Sequence, residues 1–182
     1  MKQGQLIRIL ECVTVAVVLA GCTGGAAVLA VPDDTNAVCA GVLPGTTEPY
    51  WFGVTVSNPG QSPITLKAVR LAEQDHILMS DAFAVPAVQL DDGTMMGVGV
   101  MHDPAEESPD LWAGRHSVAG YVIAPGADVH LALGLSRDGA ETGRVHSQII
   151  TYRVDGELYD RNTTSGLEMA LTSDCQTLAE DK

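Results

Sequence analysis

Basic residues are scarce in this chain. Lysine and arginine number 10 against 23 aspartates and glutamates, for a formal net charge of −13. A surface of that sign repels a polyphosphate backbone, which sets nucleic acid aside as a partner. It also repels anionic headgroups, so charge alone would not hold the chain at a membrane. Other absences narrow the chemistry. No Gly-x-Ser-x-Gly elbow or Ser-x-x-Lys pair offers an activated serine. No His-Glu-x-x-His, phosphate loop or dinucleotide glycine pattern occurs, and no Cys-x-x-Cys. There is no internal repeat, and beyond residue 21 no segment longer than ten residues shows a convincing helical period.

What is present begins at the amino terminus. Lys2 and Arg8 flank a short polar start, and residues 12–20 form a charge-free apolar run. A basic start followed by a short apolar core is the pattern of a secretory signal. The run meets Leu19-Ala20-Gly21-Cys22, which resembles the lipobox of bacterial lipoprotein signal peptides. That resemblance implies a diacylglycerol thioether on Cys22, cleavage just before it, and a mature chain starting there. One acyl chain binds a bilayer only marginally, and a diacylglycerol supplies the second. The expected partner is therefore the membrane, through the lipid on Cys22, with the domain on the extracytoplasmic face of the cell membrane.

The organisation expected is a lipoprotein signal peptide with a signal helix over residues 1–21, a tether over 22–36, one domain over 37–177 and a tail over 178–182. An uncleaved anchor stays open, because residues 12–31 carry no charge and twenty apolar residues can span a bilayer. Gly21, Gly24 and Gly25 weaken such a helix by ~1 kcal/mol each. The apolar stretch 26–31 is unusual for a tether. Cleavage removes Lys2, Arg8 and Glu11 and leaves 8 basic and 22 acidic residues.

Of four cysteines, Cys12 leaves with the signal and Cys22 takes the lipid. Cys39 and Cys175 remain, an even pair outside the cytoplasm, and read as a disulfide between the first and last strands. Two buried free thiols are the other reading.

The dominant period after the tether is two. Phe52, Val54 and Val56 alternate with small or polar neighbours, as do Val129, Leu131, Leu133 and Leu135, then Ile150, Tyr152 and Val154, then Leu167, Met169 and Leu171. Strands are expected at 37–43, 51–57, 64–72, 77–84, 95–101, 117–123, 128–135, 145–154 and 157–162, with a further one over 167–171. Turn residues at Asn58-Pro59-Gly60-Gln61, Pro125-Gly126 and Asp155-Gly156 separate them. The apolar parity shifts between Ala68 and Val69, which predicts a bulge there. A short helical turn is expected around Pro104 to Leu111. The fold class that follows is all-β, an antiparallel β-sandwich. The segment from Val54 to Leu66 is similar to the first hairpin of many immunoglobulin-like bacterial surface domains, which implies an immunoglobulin-like sandwich and carries no activity.

Three function classes are weighed. The first is a non-catalytic binding module of the envelope, taking an unknown protein or polymer at a strand edge or on the loop 102–116, and needing no cofactor. The second is a Cu(I) carrier, since thioether and imidazole ligands suit that ion. Met95, Met96, Met101 and His102 lie within eight residues, with His76 and Met79 upstream. The parity of a strand divides them between two faces, and methionines commonly fill core gaps. The third is an envelope enzyme built from residues distant in sequence. Asp103, Glu106, Glu107 and Asp110 lack calcium-loop spacing and read as a solvated loop. His130 and His146 read as outward strand residues. Trp51 has the parity opposite to its strand's apolar face, which suits the core edge or an exposed anchor.

Overall fold

The computed structural model describes residues 28–31, 37–43, 45–139 and 142–176. The expected signal peptide, Cys22, most of the expected tether and the expected tail lie outside the described residues.

Alternation with period two builds an all-β sandwich of two sheets over one core. The first sheet orders β1 (Ala37–Gly41), β13 (Glu168–Thr172), β11 (Thr142–Val154), β3 (Ile64–Asp75) and β9 (Val122–Ile123), with β12 (Arg161–Ser165) also paired to β11. The second orders β7 (Val100–Met101), β2 (Tyr50–Ser57), β10 (Asp128–Arg137), β4 (Ile77–Pro86) and β8 (His116–Ser117). A separate hairpin pairs β5 (Val88–Gln89) with β6 (Met95–Met96). The core takes Phe52, Val54 and Val56 of β2, Leu131, Leu133 and Leu135 of β10, and Ile150 and Tyr152 of β11. Each such side chain contributes about 1.5–3 kcal/mol by leaving water.

The parity shift in β3 is a bulge. Thr151 faces Ala68 and Tyr152 faces Leu66, so Lys67 is the extra residue. It resets the face, and Val69 and Leu71 pack against the same core as Ile64 and Leu66. A second bulge sits in β4, where Gly134 faces Asp81 and Leu135 faces Met79, leaving Ser80 unpaired in the ladder.

Several expected boundaries shift for physical reasons. The segment from Val54 to Leu66 is not a hairpin. Asn58 carries the chain from β2 in one sheet to β3 in the other. Asn58 is fully buried, its Nδ2 donates to Ser62 O at 2.9 Å and Ile123 O at 3.0 Å, and its Oδ1 accepts from Gly60 N at 3.1 Å. The expected strand 117–123 splits into β8 and β9, because the chain must leave the second sheet and join the first. Gly120, at φ 88, makes that break. Pro125-Gly126 therefore links strands of different sheets. The expected strand 95–101 splits likewise into β6 and β7 around Gly97 and Gly99. The Asp155-Gly156 turn does begin a hairpin, with Gly156 at φ 83, but pairing resumes only at Arg161 rather than 157. The helical turn near Pro104 is two single turns, α1 (Pro104–Glu107) and α2 (Pro109–Ala113), divided at Ser108.

β1 runs parallel to β13, and Cys39 is disulfide-bonded to Cys175 across a sequence separation of 136. The domain also begins ahead of β1. Leu29 is 1 % exposed in the core, and Ala30 exchanges two backbone hydrogen bonds of 2.9 Å with Ser57. Hydrophobic burial thus accounts for part of the apolar stretch 26–31, since Val31 packs on the same core.

Candidate functional site

One lateral edge of the sandwich is left partly open. Strand β3 ends at Asp75 and β4 starts at Ile77, so His76 alone, at φ 50, carries the chain between sheets. At the other end of this edge, residues 116–123 lace the sheets together, pairing first with Phe83 and Ala84 and then with Ile64 and Thr65. Between corner and strap, β3 and β4 diverge around a groove of about 430 Å³. Its lining includes Lys67, Val69, Met79, Asp81, Phe83 and Val118. Val118 belongs to the main core and Val69 and Met79 pack against it half-buried, so the groove opens onto apolar surface, while Lys67 and Asp81 supply opposite charges. Both bulged residues, Lys67 and Ser80, lie at this groove. Ser80 Oγ donates to Gly134 O at 3.1 Å, which fixes the hydroxyl against β10.

A second apolar layer abuts the groove at Phe83. It covers the outer face of the second sheet, where small residues admit large neighbours. A Cβ on Gly53 would collide with the backbone of Val98, and one on Gly97 with the ring of His130. A Cβ on Gly134 would stand 3.0 Å from the Trp51 ring. On this floor Trp51 packs with Phe83 and Trp112, ring centroids 5.6 and 4.7 Å away, and Arg115 caps Trp112 at 4.9 Å. Leu111 of α2 is buried in the layer. Residues 102–116 are therefore a packed cover, not a free loop.

The local chemistry of that cover uses its acidic residues. Asp103 caps α1, with Oδ1 accepting from Ala105 N and Glu106 N at 3.1 and 3.2 Å. Glu107 Oε1 accepts from His102 N and Asp103 N at 2.7 and 2.9 Å. These carboxylates satisfy amides that a helix start leaves without partners.

The sequence candidates are dispersed. Met96 and Met101 pack in the outer layer, whereas Met95 is 52 % exposed on the β5–β6 hairpin. The His102 ring lies 4.7 Å from that of Tyr50, His76 Nδ1 is 3.0 Å from Asp138 Oδ1, and Met79 lines the groove. Among the described residues no group of three or more His, Cys, Asp and Glu gathers as metal ligands would. His130 is on the outer face of β10 but covered. Burial lowers its pKa from the ordinary value, partly offset by Asp128 and by a hydrogen bond to the Val98 backbone. His146 lies 3.8 Å from Glu168. Trp51 sits neither at the core edge nor as a bare anchor, but inside the outer layer. Asn58 and Leu29 carried no functional signal in the sequence beyond a turn residue and an apolar tether. No helix among the described residues is long and apolar enough to cross a membrane. No model of a known protein family matches this chain, and no curated protein matches it by sequence.

Proposed function

We propose that this chain is a lipid-anchored, extracytoplasmic β-sandwich that works as a non-catalytic binding module of the cell envelope, and that it receives its partner in the groove between β3 and β4. The observation that carries the reading is the groove itself, an opening where half-buried apolar side chains packed on the core reach the surface beside Lys67 and Asp81, residues of opposite charge. Its volume lies in the range of sites that take small molecules or single side chains. The bulges at Lys67 and Ser80 interrupt both free edges, and such interruptions oppose continuous strand addition. A bound segment would thus enter by a side chain or a short loop. The compartment reading is supported by the Leu19-Ala20-Gly21-Cys22 resemblance and by the Cys39–Cys175 bond, since disulfides persist in oxidising compartments.

Two measurements test this. Cys22→Ala is expected to release the chain from the membrane fraction or leave an unprocessed precursor, and unchanged mass with membrane retention would overturn the anchor. A photo-crosslinking residue at Ala82 or at Ala119, both in the groove, is expected to give one common adduct in intact cells. The same residue at the exposed Leu43 gives none. Equal labelling from Leu43, or no adduct from either groove position, would end the groove assignment.

A further inference from the structure

The large exposed apolar side chains are not scattered. β2 ends at Ser57 opposite Asp128, β4 ends at Pro86 opposite Val129, and β3 begins at Ile64 opposite both Val154 and Ile123. Asn58 N donates to Ala127 O and Asp155 N to Pro63 O, binding these loops into one end of the sandwich. That end carries Val28, Val122, Leu158 and Tyr159, with Val88, Leu90 and Met95 on the β5–β6 hairpin, from 41 to 94 % exposed. The opposite end, where β1 and β13 finish beside Thr142, carries Leu43 and Leu78.

We propose that the Ser57 end of the sandwich rests on the lipid surface, with Leu158 and Tyr159 as its foremost contact. The proposal rests on the lipid anchoring of Cys22 argued above, and the reach of the chain selects the end. Cys22 precedes Val28 by six residues, which extend to about 20 Å at most. Val28 leaves the fold at this end, because Ala30 pairs antiparallel with Ser57 and Leu29 is locked in the core. Strand β11 is 13 residues long and spans about 43 Å at the usual rise per residue. A leash of half that length cannot turn the far end toward the bilayer.

The hairpin tip suits an interface of lipid and water. Leu158 is 94 % and Tyr159 62 % exposed at its apex. The flanking charges cancel locally: Arg153 Nε donates to Asp160 Oδ1 at 2.7 Å and Arg161 Nε to Glu157 Oε2 at 2.8 Å. Paired charges cost less to bring toward a low-dielectric surface than isolated ones, and tyrosine favours the headgroup level. Asp91, Asp92 and Asp155 at the same end keep the contact shallow and oppose an anionic bilayer.

The test uses the full chain, lipid-modified in cells and reconstituted into phosphatidylcholine vesicles with and without brominated acyl chains. Leu158→Trp and Leu78→Trp are compared after subtracting the emission of Trp51 and Trp112. The expected result is that the tryptophan at 158 shifts to the blue and loses most of its intensity to the brominated lipid, while that at 78 is unchanged. Equal quenching at 78, or none at 158 in a chain that mass spectrometry shows to be lipidated, overturns the orientation. A shift at 158 that follows protein density and ignores bromination would assign this end to a second copy, and overturn it too. If mass spectrometry finds no lipid on wild-type Cys22, the anchor reading has failed instead, and the two failures are separated before any fluorescence is read.

Discussion

Asn58 shows how one buried polar residue can tie two stretches of backbone together, residues 60–62 and 123–127. Its amide nitrogen reaches two carbonyls, its amide oxygen accepts from Gly60, and its own peptide group bonds to the 126–127 turn, all at 0 % exposure. Asn58→Ala leaves the carbonyls of Ser62 and Ile123 short of a donor, at about 1–3 kcal/mol for each buried group unsatisfied. We expect a loss of stability of about 3 kcal/mol, read as a lower midpoint in urea. A change under half a kcal/mol would deny it this role. Asn-Pro-Gly was legible as a turn, because those residues favour turns for local reasons. That the turn crosses between sheets was not, because the partners at Ile123 and Ala127 lie more than sixty residues away. The bulge at Lys67 was legible, since a bulge inverts the alternation that a sequence displays directly.

At the scale of elements, β10 and β11 could be read from alternation alone, and both came out as long central strands. The outer layer could not. Gly53, Ala132 and Gly134 form a small-residue face, and such a face in sequence resembles one that looks at water. Here it is a floor for Val98, Trp51 and Trp112, whose own positions gave no hint of the contact. The copper candidates divide along the same line: Met96 and Met101 serve this layer as packing, and Met95 stands outside it. Gly97→Val is the element's own test, because a side chain there meets the His130 ring. It is expected to lift residues 97–101 from the sheet and weaken the near-ultraviolet aromatic signal from Trp51 and Trp112. Most of the far-ultraviolet strand spectrum remains, since Val100 alone of these residues packs against the main core. A variant that keeps its aromatic signal would show that this segment does not hold the layer.

For the whole molecule, the disulfide connects β1 to the residues just past β13, and these strands already lie side by side in parallel. Closing so long a loop restricts the unfolded chain, and removing a native disulfide typically costs 2–5 kcal/mol. Cys39→Ser with Cys175→Ser is therefore expected to lower the thermal midpoint and steepen the response to urea through a more expanded unfolded state. Equal midpoints with and without the bond would contradict this. Both cysteines were legible from a simple count, but their parallel neighbourhood was not, since nothing local encodes which way a terminal strand runs.

The same closure decides how the domain answers a mechanical load. A chain held at Cys22 and pulled from beyond Cys175 receives force along its covalent path. That path leaves the fold's interior at Cys39 and crosses the sulfur bridge directly. The strands between, including both sides of the groove, lie on a slack branch of the circuit. Tension can peel Ala30 from Ser57, then Ala37 and Val38 from Glu168 and Met169, and then it meets a covalent bond. With the lipid proposed on Cys22 as its anchor, a domain so wired would lengthen its leash under drag without losing the shape of the surface it presents.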